Sequence, residues 1–169
     1  MMRYAKTGGE AMSIAVRIAR VKTNKDLILF CGYHGWYDWY LSANLADDKA
    51  LEGHILPGLE SKGDPRGLKG TDIPFNYNNR DGFLELINEC KNDIEVFVMK
   101  PIQNYYTKEG FLETIREITK KLGIVLIFNK VTSGWRLIVS GDYLNLGIKP
   151  YIAVFAKAIS NGYPMAAII

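Results

Sequence analysis

Two hydrophobic periodicities alternate along the chain. In three segments apolar residues recur every three or four positions, as they do on one face of an α-helix. The first predicted helix covers residues 9–21, and the next two contain Phe83–Cys90 and Phe111–Leu122. Short, mainly apolar runs, typical of strands buried on both faces, lie between and after these helices: Leu27–Cys31, Ile94–Met99, Ile124–Phe128, Ile152–Phe155 and Met165–Ile169.

This alternation predicts an α/β fold with a mostly parallel sheet and helices on both faces. Ligands of such sheets bind at the carboxyl ends of the strands. Chemistry is therefore expected in the four segments that follow strands: Gly32–Trp39, Lys100–Tyr106, Asn129–Arg136 and Ala156–Pro164. Residues 46–80 are rich in Gly and Pro without a clear period, which indicates a long functional or partner-packing loop.

The two ends of the chain lead to a further expectation. The first helix follows so soon after Met1 that no strand is expected before it. The last apolar run reaches Ile169 without a polar finish. Both features predict that residues 1–169 are one incomplete domain that lacks flanking structure.

Composition narrows the class of protein. Hydrophobic residues make up 48% of the 169 positions and charged residues 23%, an ordinary globular mixture. The net charge is +3 and the basic residues are dispersed, so no nucleic-acid partner is predicted. Without a signal-peptide pattern or an apolar run of about 20 residues, we expect a cytoplasmic protein with no membrane partner. Cys31 and Cys90 lack metal-ligand spacing and are expected to be reduced thiols.

Several common catalytic signatures are missing from the sequence. There is no GxGxxG, no phosphate-binding GxxxxGK[ST] and no GxSxG nucleophile motif. The only histidines are His34 and His54, which excludes an HExxH zinc site. Nucleotidase and hydrolase functions have little support, and no metal site is expected.

Two glycine-containing motifs precede or follow predicted elements. In Thr7–Ala11 the glycines come directly before a helix, where free N–H groups and the helix dipole favour a phosphate. A plain helix cap is the alternative. Gly32–Trp36 follows a buried strand and contains Tyr33 and His34. Its aromatic side chains could stack on a flat cofactor, or they could simply pack in the core with Trp39.

Two further motifs follow later strands. Phe128–Arg136 places polar Asn129 at the end of an apolar strand, where it could face a ligand or only terminate the strand. Phe155–Pro164 places Lys157 at the end of another strand among small residues. Burial there would favour the neutral amine, which is the nucleophile for Schiff-base formation. A solvated surface lysine is the alternative.

Taken together and in this order, the four motifs resemble the class-III aminotransferases, most closely the glutamate-1-semialdehyde 2,1-aminomutase-like branch. The resemblance covers essentially the whole chain. It implies a type I pyridoxal-phosphate (PLP) transferase fold, a homodimer, and small-molecule amino donors and acceptors. That family is considerably longer, so the chain would be an internal part of the large PLP-binding domain.

The resemblance also assigns residues by position. Thr7, Gly8 and Gly9 correspond to the family's phosphate-binding segment. Lys157 corresponds to the Schiff-base lysine, which also shuttles protons as the catalytic residue. The full set implied for the cofactor site is Thr7, Gly8, Gly9, Tyr33, His34, Asn129, Val131 and Lys157, with Tyr33 and Val131 on the two faces of the pyridine ring.

Three departures from the family pattern bear on activity. Asn129 replaces the aspartate that keeps the pyridine nitrogen protonated, and a neutral amide cannot supply that charge. Lys100 and Lys130 each stand where the family has a glutamate, and both are expected to add positive charge near Lys157. The alternative function is therefore a catalytically inactive PLP-fold remnant that serves as a structural or oligomerisation module.

Overall fold

A computed structural model describes residues 1–47, 49–51, 54, 61–90, 93–102, 106–136 and 146–169. Within them lie seven strands: β1 Arg3–Ala5, β2 Leu27–Cys31, β3 Asp72–Pro74, β4 Ile94–Met99, β5 Val125–Asn129, β6 Ile152–Phe155 and β7 Ala166–Ile168. The α-helices are α1 Gly8–Thr23, α2 Asp38–Leu41, α3 Arg80–Cys90 and α4 Phe111–Leu122. No helix in the described ranges is long and apolar enough to cross a membrane.

The strands form one sheet in the order β1-β7-β6-β5-β4-β2-β3. Strands β3, β2, β4, β5 and β6 pair in parallel, and β7 pairs antiparallel with both β6 and β1. The prediction of a mostly parallel α/β sheet is confirmed. Because β2, β4, β5 and β6 run in the same direction, their carboxyl ends meet at one edge of the sheet.

Helices cover both faces of the sheet, as predicted. On one face α1 packs through small and medium side chains, including Ala11, Ala15 and Val16, against Phe30 and Val98 of the sheet. The other face is covered by α3 and α4, whose buried aromatic and aliphatic side chains meet the remaining strand positions. The two cores hold the strand ends rigidly, so the segments that follow the strands begin from fixed positions.

Helix α1 has a complete N-terminal cap. The Glu10 N–H donates to Thr7 Oγ1 over 3.1 Å, and the Glu10 carboxylate accepts from the N–H groups of Thr7 and Lys6. This reciprocal capping box satisfies donors that the first turn would otherwise leave free. At the other end Asn24 adopts a left-handed conformation with φ 56° and donates its N–H to the Arg20 carbonyl.

Two short edge strands depart from the predictions. The expectation of no strand before the first helix is wrong, because Arg3–Ala5 pairs with Ala166–Ile168. The segment 46–80 is also not a featureless loop, since Asp72–Pro74 pairs with β2 and Arg66–Leu68 forms a 3₁₀ turn. Both strands are three residues long and too short to show a period. Pro57 and Gly58, two of the residues that supported the loop prediction, lie outside the described residues.

A buried carboxylate fastens this segment to the sheet. Asp72 is 2% exposed and accepts hydrogen bonds from the hydroxyls of Ser42 and Thr71, and Arg20 of α1 lies 3.4 Å from it. Burial raises the pKa of Asp72 to about 6, and the hydroxyls and Arg20 oppose that rise. The folded protein therefore binds this proton more tightly than the unfolded chain.

The Asp72 carboxyl predicts a specific pH dependence of stability. Because its pKa is raised in the folded state, its contribution is fully present below pH about 4 and is lost as pH rises through about 6. The unfolding free energy of wild type relative to Asp72→Asn should fall by up to about 3 kcal/mol as pH rises across this window. Urea unfolding at a series of pH values measures it. A constant difference between the two proteins would contradict the assignment.

Candidate functional site

All four predicted segments meet in one cavity at the carboxyl edge of the sheet. The cavity has a volume of about 590 Å³. Residues 103–105 of the second segment lie outside the described chain, and that segment contributes Lys100. The described lining residues are Lys6, Thr7, Gly8, Gly9, Met12, Tyr33, His34, Gly35, Trp36, Tyr37, Lys100, Asn129, Val131, Thr132, Ala156, Lys157, Ser160, Tyr163, Pro164 and Met165.

Glycines bring the N-terminus of α1 close to the strand ends. A Cβ atom on Gly8 would lie 2.8 Å from Val131 Cγ1 and 3.4 Å from the Ala156 Cβ. A Cβ atom on Gly9 would lie 2.5 Å from the Tyr37 ring. The first turn of the helix thus lies so close to the neighbouring segments that only residues without a side chain fit there. Its N–H groups and the positive end of its dipole lie beside the cavity.

Lys157 follows β6 and lines the cavity on a strained backbone. Its φ of 56° lies in the left-handed region, which a residue with a Cβ atom adopts at a cost of about 1 kcal/mol or more. Its Nζ donates to Thr132 Oγ1 over 3.3 Å. Of the two alternatives for Lys157, burial among small residues or a solvated position, the structure shows the second, because the residue is exposed. The left-handed turn directs the chain away from the buried sheet immediately after Ala156.

A hydrogen-bonded chain fixes Asn129 at the floor of the cavity. His34 is 3% exposed, and its Nε2 lies 3.0 Å from the Cys31 carbonyl, to which it donates. Burial, together with the charge of Lys100, lowers the pKa of His34 to about 3, so the ring is neutral and its Nδ1 accepts. The Asn129 amide nitrogen therefore donates to His34 Nδ1 over 3.0 Å, and Asn129 Oδ1 accepts from the Val131 N–H over 3.1 Å.

Two other predicted residues lie on the walls of the cavity. Tyr33 is half-buried, and its ring makes an edge contact with the buried Tyr40 ring at 5.9 Å. Val131 is half-buried and packs on the core formed by α1. The structure thus brings Thr7, Gly8, Gly9, Tyr33, His34, Asn129, Val131 and Lys157 to one cavity.

The two lysines at the family's glutamate positions differ in their surroundings. Lys100 lines the cavity with its ammonium 5.5 Å from the centre of the Tyr33 ring, and burial followed by the charge of Lys157 lowers its pKa. Lys130 is fully buried, does not line the described cavity, and has a pKa lowered to about 7 by burial. The expected positive charge near Lys157 is confirmed for Lys100, whose charge acts on that of Lys157, whereas Lys130 lies outside the described cavity lining.

Several residues that line the cavity were not predicted as site residues from the sequence. Thr132 stands next to Val131 in a motif that was recognised, and its position after a buried strand was the only available signal. Lys6 and Met12 flank the glycine motif, and Tyr163 follows Lys157 in the last motif. Trp36 is exposed and lines the cavity, whereas Trp39 is buried in the core, a difference that the sequence did not reveal.

Comparisons with known proteins agree with this geometry. The family model described as aminotransferase class-III matches residues 1–169. The 3-aminobutyryl-CoA aminotransferase of Cloacimonas acidaminovorans is 32% identical over 100% of this chain and 38% of its own length. The glutamate-1-semialdehyde 2,1-aminomutase of Methanocaldococcus jannaschii is 35% identical over 100% of this chain and 40% of its own length.

Solved structures give the same result for the fold. An omega-transaminase from Sphaerobacter thermophilus superposes with a TM-score of 0.84 and 28% identity. The superposition covers 99% of this chain and 40% of that protein. The chain thus spans about two-fifths of the length of the proteins that it matches.

Proposed function

Because the chain belongs to the class-III aminotransferase family, we propose that it transfers an amino group between small molecules with PLP as cofactor. The reaction is that of an aminotransferase or an aminomutase. The observation that carries this proposal is the position of Lys157, a lysine on a left-handed backbone that faces the glycine-lined N-terminus of α1 across one cavity. Lys157 is the residue that attaches the cofactor through its amine.

The first turn of α1 fits a phosphate group. The space that Cβ atoms would fill at Gly8 and Gly9 is already taken by Val131 and Tyr37, so only glycine leaves the helix N–H groups accessible beside the cavity. Thr7 adds a hydroxyl at the helix cap. These three residues would hold the cofactor phosphate, because helix N-termini bind anions through free N–H groups and the helix dipole.

The middle of the cavity fits a flat aromatic ring. Tyr33 and Val131 would lie on its two faces, and Asn129 would meet the ring nitrogen with His34 behind it. A cavity of about 590 Å³ is of the size that cofactor sites usually have. When bound, the cofactor supplies the electron sink on which amino-group transfer depends.

Lys157 would also move the proton of the reaction. With a substrate bound in the cavity, the Lys157 amine would take a proton from the substrate carbon that bears the amino group and would return it at the acceptor position. Its hydrogen bond with Thr132 Oγ1 orients the amine before the proton is transferred. Exposure of Lys157 to the cavity, rather than burial in the sheet, gives the side chain the freedom for both roles.

The neutral Asn129–His34 pair favours a second function. With the amide donating to a neutral imidazole, this end of the cavity offers no negative charge to a ring nitrogen. Amino transfer should therefore be slower than in a relative that has a carboxylate at this position. The second candidate is a catalytically inactive PLP-fold module with a structural or oligomerisation role.

The remaining parts of the proposal concern the surroundings of the chain. We propose that residues 1–169 are part of a large PLP-binding domain in a cytoplasmic homodimer. Large exposed aromatic side chains at the cavity, Trp36 at 68% and Tyr163 at 82% exposure, support a partner that covers its mouth.

A half-reaction distinguishes the two functions. The chain is saturated with PLP and incubated with a panel of small amines and amino acids, and pyridoxamine 5'-phosphate is quantified by chromatography. We expect pyridoxamine 5'-phosphate to form with at least one donor, whose amino group passes to the cofactor while the rest of the donor is released as a carbonyl compound. It should be absent from Lys157→Ala and present in Lys149→Ala, an exposed lysine that does not line the described cavity.

Each other outcome has a definite meaning. Bound cofactor without any pyridoxamine 5'-phosphate would favour the inactive module. Failure to bind the cofactor at all, with the chain folded, would contradict amino transfer and leave only the structural or oligomerisation module.

A further inference from the structure

We propose that Lys100 binds a carboxylate of the substrate, so that the site prefers carboxylate-bearing amino and oxo compounds over uncharged amines and ketones. This inference rests on the proposed function and names the substrate class of the same site. The cavity is positively charged, because its described lining contains three cations, Lys6, Lys100 and Lys157, and no Asp or Glu.

Among these three, Lys100 is the one whose ammonium is partly withdrawn from solvent. Lys6 and Lys157 are exposed, whereas Lys100 is half-buried with its Nζ over the Tyr33 ring at 5.5 Å. No carboxylate of the described residues lies within ion-pair distance of it. Burial and the neighbouring charge of Lys157 both disfavour its cationic form. An anionic ligand in the cavity would offset both effects.

The position of Lys100 suits a group on the substrate rather than the cofactor phosphate. Lys100 directly follows β4, Asn129 ends β5, and Lys157 follows β6, so one strand separates the two lysines. Two strand spacings place their main chains roughly 10 Å apart, a distance that a small molecule between two lysine side chains can bridge. The glycines at the start of α1 contact Val131, Ala156 and Tyr37, whereas Lys100 contacts Tyr33.

The cavity therefore has a region where the substrate reacts and a separate region that binds its carboxylate. The reacting carbon of the substrate lies at Lys157, and a carboxylate elsewhere on the same molecule pairs with Lys100. A charge-assisted hydrogen bond in a half-buried setting is roughly twice as strong as a neutral one. Lys100 is thus a specificity-determining residue and takes no part in the bond changes.

The test measures binding of an unreactive dicarboxylate. Calorimetric titration of glutarate, with glutaramide as its uncharged counterpart, is carried out on the PLP-saturated chain and on the chain without PLP. We expect the glutarate Kd of Lys100→Met to be about tenfold higher than that of wild type. Lys100→Arg should keep the affinity to within about twofold, because it keeps the charge. Lys121→Met removes the same charge from an exposed site at the end of α4 and should have no effect.

A parallel arm separates the two possible sources of the anion. Affinities for PLP and for pyridoxal, which lacks the phosphate, are measured in the same variants, and we expect both to be unchanged in Lys100→Met. If Lys100→Met weakened the binding of PLP and left the binding of pyridoxal unchanged, Lys100 would be assigned to the phosphate and the inference would be overturned. Equal glutarate affinity in wild type and Lys100→Met, or no glutarate binding by wild type, would also overturn the inference.

Different experimental results would contradict the role of Lys100 and the proposed amino transfer. Lys100-dependent glutarate binding without any pyridoxamine 5'-phosphate supports carboxylate recognition and counts against amino transfer. Formation of pyridoxamine 5'-phosphate with glutarate affinity indifferent to Lys100 overturns the inference alone.

Discussion

Replacing Asn129 by aspartate is expected to convert His34 from a neutral imidazole into a protonated one at pH 5. In wild type, His34 Nε2 donates to the Cys31 carbonyl and Nδ1 accepts from the Asn129 amide, an arrangement that requires the neutral ring. A carboxylate at position 129 can only accept, so Nδ1 must carry a proton to keep the contact. The adjacent negative charge should raise the pKa of His34 from about 3 by about 3 pH units.

Imidazole nitrogen NMR measures this directly as a function of pH. The chain has two histidines, and His54 serves as an internal reference in the same spectra. Asn24→Asp is the matched control, because it makes the same chemical change at the exposed C-terminal cap of α1. We expect His34 to remain neutral at pH 5 in the control. A His34 that also stays neutral in Asn129→Asp would contradict the proposed hydrogen-bond directions.

The same substitution has a consequence for the proposed reaction. A carboxylate that is paired with a protonated His34 would offer negative charge at the floor of the cavity, where wild type offers a neutral amide. If the missing charge limits amino transfer, Asn129→Asp should accelerate formation of pyridoxamine 5'-phosphate by about tenfold or more. An unchanged rate, with His34 protonated, would show that the neutral amide is not the limiting feature.

Replacing Gly8 by alanine is expected to weaken PLP binding by about tenfold or more while leaving the fold intact. The new Cβ atom would lie 2.8 Å and 2.9 Å from the two methyl groups of Val131. Because Val131 is half-buried and lines the cavity, we expect it to relieve this contact by moving into the space where the ring would lie. The unfolding free energy should fall by only about 1 kcal/mol, since the cavity absorbs the displacement.

The matched control for Gly8→Ala is Gly67→Ala, a substitution at a glycine where there is room for a Cβ atom. At Gly67 a Cβ atom would meet no atom within 4 Å, and its backbone is not left-handed. Tryptophan fluorescence gives the PLP affinity, and thermal unfolding gives the stability. Gly67→Ala should match wild type in both. A Gly8→Ala variant with wild-type affinity would mean that the close approach of α1 does not shape the cofactor site.

The sequence predicted the central strands and helices well because their apolar periods are strong. Strands Leu27–Cys31, Ile94–Met99 and Ile152–Phe155 begin and end where the apolar runs do, and β5 is displaced by one residue because Asn129 itself still pairs with Val154. The structure also brings residues of all four post-strand segments to one cavity. That result followed from the shared direction of parallel strands, which any βαβ alternation implies.

Other features depend on contacts that no local pattern carries. Strands β1 and β3 exist because distant segments, Ala166–Ile168 and β2, present edges for them to pair with. The contact between His34 and Asn129 joins residues 95 positions apart. The exposure of Lys157 follows from a single left-handed residue after β6, and Lys130 is buried although it lies in the same motif as the cavity residue Asn129. Such details are set by tertiary packing.

The most direct test of the account is to find where PLP becomes attached. The PLP-saturated chain is reduced with borohydride and digested, and the peptides are sequenced by mass spectrometry. The proposed function predicts one pyridoxyl group per chain, located on Lys157, and no specific label in Lys157→Ala. Label on Lys100 in place of Lys157, label scattered over the exposed lysines, or no label at all on the folded chain would contradict it.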